Sequence, residues 1–196
     1  MVSYVDPEGE DTSRVRRGAT PAERARRIQR RRELNAQLPE DQAVARAREA
    51  ALTLLDHQAR SSGEIAQKLS DKGYQEPVVS TVVHRLEELG LLNDREYAFM
   101  LARTRFSERG LVGQALRGEL RKKGMPNDLI AEACDAVEAD GQRERALQLA
   151  QKKMRSCRSL PRERAFARCA SYLARRGYPP SLSYEVIREA WEDQED

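Results

Sequence analysis

Two histidines, three cysteines and 35 lysines and arginines are the residues of this 196-residue chain whose types suit chemistry. His57 and His84 form no H-x-x-x-H pair and no G-x-x-x-x-G-K-[ST] loop occurs, so neither a zinc hydrolase nor a P-loop enzyme finds its parts. Cys134, Cys157 and Cys169 form no C-x-x-C pair and sit among Ala and Leu at helical spacing, which predicts buried thiols rather than a metal or redox site. No enzymatic reaction and no cofactor is expected. The cations offer binding instead. Of the 35, only six are Lys and 29 are Arg, the side chain whose planar fork grips carboxylate or phosphate.

The net charge of +3 hides their segregation. Residues 103 to 123 carry seven bases against two acids, and residues 125 to 140 carry five acids and no base. Residues 141 to 178 hold eleven bases against two acids, and residues 179 to 196 hold six acids and one Arg. Basic and acidic faces of one body can meet different partners. Arg117 and Arg121 stand at i, i+4, as do Arg164 and Arg168, followed by Arg175. Like-charge rows without an acid at i±4 are destabilising, so a partner outside the unit is expected to use them.

The elements that carry these rows repeat. Leu69-Ser-Asp-Lys72-Gly73-Tyr74 recurs as Leu120-Arg-Lys-Lys123-Gly124-Met125 and as Leu173-Ala-Arg-Arg176-Gly177-Tyr178, with the glycines 51 and 53 residues apart. A cation before a glycine suits a helix C-terminus with an αL residue, so Lys72, Lys123 and Arg176 read as caps. After each glycine comes one apolar stripe: Val78, Val79, Val82, Val83 and Leu86, then Leu129, Ile130, Ala133, Cys134 and Val137, then Leu182, Ser183, Val186, Ile187 and Ala190. Upstream lie two more helical stripes per copy. Ala47, Ala50, Ala51, Leu54 and Leu55 mark the first helix of the first copy; Val112, Leu116 and Leu120 mark the middle helix of the second. Phe106 and Phe166 match apolar positions and read as core. Trp191 reads as closing the last unit.

The expected fold is therefore all-α: three tandem three-helix repeats stacked into an elongated, curved body behind an N-terminal Arg-rich leader. The boundaries are 1–41 for the leader, then 42–93, 94–140 and 141–196, with Asp94 as the N-cap that opens the second unit and a possible hinge at Gly141. In the leader, Thr20-Pro21-Ala22-Glu23 predicts a capped helix to about Gln37, disordered or single, with nine Arg between residues 14 and 32 and a thin apolar face. A nucleic-acid arm and a solvated tail are both open for it. With no apolar run of membrane length and an acidic start, a cytoplasmic protein is expected.

Several segments resemble the RecX regulatory proteins of bacteria: Leu86-Glu-Glu-Leu89-Gly90-Leu91-Leu92, Asp94-Arg-Glu-Tyr97-Ala-Phe99, Arg103-Thr-Arg105, Arg109-Gly110, Leu116-x-x-x-Leu120-Arg-x-Lys123-Gly124, and Arg176-Gly177-Tyr178 with Ser183-Tyr184-Glu185-Val186-Ile187. The resemblance spans about residues 42 to 192. It implies a monomeric modulator of the RecA recombinase that binds the RecA filament on single-stranded DNA and inhibits its ATPase, co-protease and strand-exchange activities. It implies weak DNA binding alone, no membrane and no catalytic residue. Charge nominates Arg103, Arg105, Arg109, Arg117, Arg121 and Lys122 on the second unit, and Arg143, Lys152, Arg164, Arg168 and Arg175 on the third, as the filament-binding surface. A winged-helix DNA-binding regulator is a second reading of Glu64-Ile65-Ala66-x-x-Leu69 with Val82 to Leu91, but it needs a β-hairpin where residues 93 to 106 read as helix. A helical scaffold with only protein partners is a third.

Overall fold

The computed structural model describes residues 20–138 and 141–193. The acidic start, Arg14, Arg16 and Arg17, and the join residues 139 and 140 lie outside them. Among the described residues there are ten helices and no strand: α1 (Pro21–Ala36), α2 (Glu40–His57), α3 (Ser62–Asp71), α4 (Glu76–Glu88), α5 (Asp94–Arg109), α6 (Gly113–Arg121), α7 (Asn127–Glu138), α8 (Gln142–Arg155), α9 (Arg162–Ala174) and α10 (Pro180–Glu192). The missing hairpin removes the winged-helix reading, since α5 occupies its place. The predicted capping box forms in full at the start of α1, where Thr20 accepts from the Glu23 amide and Glu23 from the Thr20 amide.

Helices α2–α4, α5–α7 and α8–α10 each close on a core made from the stripes seen in the sequence. Ile65, Leu69, Val79, Val82 and Leu86 are buried in the first, Leu116, Leu120, Ile130, Ala133 and Cys134 in the second, and Met154, Cys169, Leu173, Val186 and Ile187 in the third. Burying each large aliphatic side chain contributes about 1.5–3 kcal/mol, which drives the three helices of a unit together. After each repeated glycine, Tyr74, Met125 or Tyr178 folds back into the core. The Tyr74 and Tyr178 amides donate to the carbonyls of Leu69 and Leu173, the six-to-one closure expected of a left-handed helix end. Phe166 and Trp191 stack with ring centroids 5.8 Å apart at the end of the third unit.

Two local readings are corrected. Asn93, not Asp94, caps α5: its side chain accepts from the Glu96 amide at 3.1 Å. Asp94 instead reaches back to the first unit and accepts from the Ser62 amide at 2.7 Å and the Ser62 hydroxyl at 2.5 Å. Val112 precedes α6 as its N-cap rather than lying on the helix, and it is buried in the core of the third unit rather than its own.

The units join through the ends of their middle helices. The Ser61 hydroxyl, at the start of α3, donates to the Lys123 carbonyl just beyond α6. The Val112 amide, at the start of α6, donates to the Arg176 carbonyl just beyond α9 at 2.9 Å. Each contact sets the negative C-terminal end of one helix against the positive N-terminal end of the next, so the macrodipoles of α9, α6 and α3 follow head to tail. At the far end, Asn35 donates to the Lys72 carbonyl at 2.8 Å and Gln75 donates to the Ala36 carbonyl at 3.0 Å. The last turn of α1 thus fills, on the first unit, the slot that a preceding unit fills on the others.

Candidate partner-binding surface

Of the three cations read as caps, Lys123 and Arg176 serve these junctions with their side chains, and Lys72 with its backbone carbonyl. Lys123 Nζ lies 2.8 Å from Glu64 Oε1 of the preceding unit, where Arg60 also pairs at 3.8 Å and the Tyr97 hydroxyl donates at 3.4 Å. Glu64 is mostly buried, so it is a charged centre of the first boundary. Burial, with the Glu64 carboxylate beside it, pushes the Tyr97 phenol above its ordinary pKa. At the second boundary Arg176 stacks 3.6 Å from the Tyr172 ring and donates Nε to the Arg109 carbonyl at 2.9 Å. Arg145 adds a hydrogen bond to the Ser107 carbonyl. The αL turn at Gly110 passes against Leu149 and Tyr178, where a Cβ would collide.

Five of the eleven nominated bases have acid partners inside the protein. Glu119 gathers three of them, with Arg109 at 3.4 Å, Arg105 at 3.5 Å and Lys122 at 3.7 Å. Arg105 is half-buried, its guanidinium beside Glu119. Arg117 pairs with Asp135 on α7 at 3.2 Å. Arg117 has no acid at i±4, as read from the sequence, but the facing helix α7 supplies one 18 residues on. Arg143 pairs with Glu185 at 3.1 Å and Glu189 at 2.7 Å, and these hydrogen bonds raise its pKa further. Here the basic and acidic segments of the third unit meet each other.

The other six, Arg103, Arg121, Lys152, Arg164, Arg168 and Arg175, are exposed, and their side chains make no ion pair or hydrogen bond among the described residues. Three of them form one row. Along α9, whose buried face is Ala165, Cys169 and Leu173, Arg164 and Arg168 lie on one line with Arg175, the C-cap that continues the helical turn, on a face apart from the core. At 1.5 Å per residue the row is about 16 Å long.

Sequence reasoning missed what borders it. Ala167, Ala170 and Ala174 are exposed, and with Phe166, Tyr178 and Ile187 they line an apolar groove of about 520 Å³ between α9 and α10, rimmed by the exposed Tyr184. The signal was present in the small residues at i, i+3 and i+7 on a non-core face. Such residues let another backbone approach closely.

Nothing among the described residues gathers three metal-ligating side chains. All three cysteines are buried and free, as predicted, and burial pushes the Cys169 thiol up to about 11. No helix is long and apolar enough to cross a membrane among the described residues.

Tandem three-helix units, joined end to end and carrying unpaired cations outside, define a helical-repeat protein. Family models of the first, second and third three-helix domains of RecX match residues 47–86, 93–133 and 140–190 in that order. The regulatory protein RecX of Amycolatopsis mediterranei (strain U-32) is 34% identical over 154 residues, covering 79% of this chain and 88% of that one. That of Streptomyces coelicolor is 32% identical over 190 residues, covering 97% and 94%. The crystal structure of RecX from Lactobacillus salivarius superposes with a TM-score of 0.68 at 23% identity over 75% of this chain and 96% of its own, a likeness of fold. The chain belongs to the RecX family of regulatory proteins.

Proposed function

We propose that the protein binds the RecA filament on single-stranded DNA and lowers its ATPase, co-protease and strand-exchange activities, acting in the cytoplasm as a monomer without cofactor or catalysis of its own. The observation that carries this reading is the row of Arg164, Arg168 and Arg175, exposed and without internal partners on α9. A row of guanidinium groups with no acid to neutralise it is destabilising alone and is stabilised by an acidic protein surface or by phosphate, and the filament offers both. Family membership gives the reading its partner.

Arg121, Arg103 and Lys152 extend the proposed surface. Arg105, Arg109, Lys122, Arg117 and Arg143 belong to the proposed surface in a lesser role, because acids of this chain already hold them. The units themselves are proposed to run 42–93, 94–140 and 141–196, with 1–41 as leader. The test is RecA ATPase on single-stranded DNA with the row intact and neutralised. Unchanged hydrolysis with wild-type protein and no co-sedimentation with filaments contradict the reading.

A further inference from the structure

We propose that α1 is a separate nucleic-acid contact, an arginine arm that grips the phosphate backbone without help from a recombinase. It precedes residue 47, where the match to the family model of the first domain begins, and is not needed for any of the three cores. Only its last turn is fastened, through Asn35 to the Lys72 carbonyl and through Gln75 to the Ala36 carbonyl. The Arg32 backbone lies against Gly73 so closely that a Cβ there would stand 2.6 Å from the Arg32 carbonyl oxygen. The arm is thus fixed in direction at one end, with the rest of the helix projecting from the body.

Arg26, Arg27 and Arg30 stand at i, i+1 and i+4 on that projecting part, all exposed and with no ion pair or hydrogen bond from their side chains among the described residues. The two acids of α1 are already engaged: Glu23 closes the capping box with Thr20, and Glu33 accepts from Gln29 at 2.9 Å. Arg31 differs, because its charge and that of Arg46 reach the Tyr74 phenol at the body. The arm has no aromatic side chain, and its two large apolar groups, Ile28 and Leu34, are each 58% exposed. A protein interface is built around a clustered anchor, whereas Ile28 and Leu34, six residues apart, point about 120° apart around the helix and form no common apolar face. A polyanion requires only spaced cations, each displacing condensed counterions from a phosphate.

The test uses the full-length protein and a fluorescein-labelled 40-nucleotide oligo(dT), with anisotropy read from about 50 to 200 mM salt and no recombinase present. Replacing Arg26, Arg27 and Arg30 together by Gln is expected to weaken binding about tenfold and to reduce the slope of log affinity against log salt by about 2, at ~0.7 per phosphate contact on a single strand. Replacing the same three by Lys keeps the charge and restores most of both. Unchanged helix content by circular dichroism verifies the fold, since none of the three side chains is packed. Affinity and slope equal to wild type overturn the proposal. So does a Gln variant that holds DNA normally but loses binding to filaments, because the arm then meets protein. Because the DNA titration contains no recombinase, its outcome does not depend on the function proposed above.

Discussion

Gly63 and Gly124 meet across the boundary between the first two units so closely that a Cβ on Gly63 would lie 2.6 Å from the Gly124 carbonyl oxygen. Gly113 and Gly177 repeat the contact at the second boundary, where the corresponding distance is 2.9 Å. The repeated glycine therefore has two duties: it ends a middle helix in the left-handed region and lets the next middle helix dock on its backbone.

Gly63→Ala is expected to cost about 1–3 kcal/mol, since backbone at the boundary must move to admit the methyl group. Gly118→Ala has the opposite sign. Gly118 lies inside α6 with nothing within 4 Å of an added Cβ, so the substitution gains up to about 1 kcal/mol of helix propensity. Urea denaturation of the two variants beside wild type measures both.

The triple helical pattern, the three cores and the buried cysteines were legible because they rest on spacing within one helix or one turn. The junctions were not. A left-handed helix end already accounts locally for Gly73, Gly124 and Gly177, and nothing in the spacing says that another chain segment presses on them. Pairs such as Arg117 with Asp135 and Arg143 with Glu189 were hidden for a similar reason: an acid at i±4 is visible in sequence, whereas one on the facing helix needs the packing angle. Asp94 was misread because Asn93 beside it caps equally well, and only the nearness of Ser62 decides between them.

Glu64 should matter more than an ordinary surface acid, because it pairs with Lys123 across the first boundary while mostly shielded from water. Glu64→Ala is expected to destabilise by about 1–3 kcal/mol, partly by stranding Lys123 and the Tyr97 hydroxyl. A double-mutant cycle with Lys123→Met should give a coupling of about 1 kcal/mol. Zero coupling contradicts the boundary role.

Alkaline pH should weaken the third unit. Burial raises the Cys169 thiol to about 11 and the Tyr178 hydroxyl to about 12, so both stay protonated in the folded protein where the unfolded chain has begun to ionise. The unfolded state then binds fewer protons, and stability falls as pH rises. The contribution is whole below about pH 8.5 and declines from there, for the thiol first and then the phenol, through the folded values. Urea midpoints at pH 8 and pH 10 should show the decline, and Cys169→Ala should reduce its share of it. At pH 8 the three thiols should react with a thiol reagent only as fast as the protein opens.

Arg143 supplies the contrast between a structural base and a binding base. Its guanidinium is held by Glu185 and Glu189, so Arg143→Gln should leave filament binding close to wild type. A loss as large as that from the α9 row would move the binding surface to α8.

The most direct measurement is the single-stranded-DNA-dependent ATPase of RecA titrated with wild-type protein and with the variant carrying Arg164→Gln, Arg168→Gln and Arg175→Gln. Wild type is expected to lower hydrolysis at or below equal ratio to RecA, and the folded variant to need about tenfold more protein, equivalent to ~1.4 kcal/mol. Inhibition by the variant equal to wild type would contradict the claim that this row on α9 is the surface through which the protein acts.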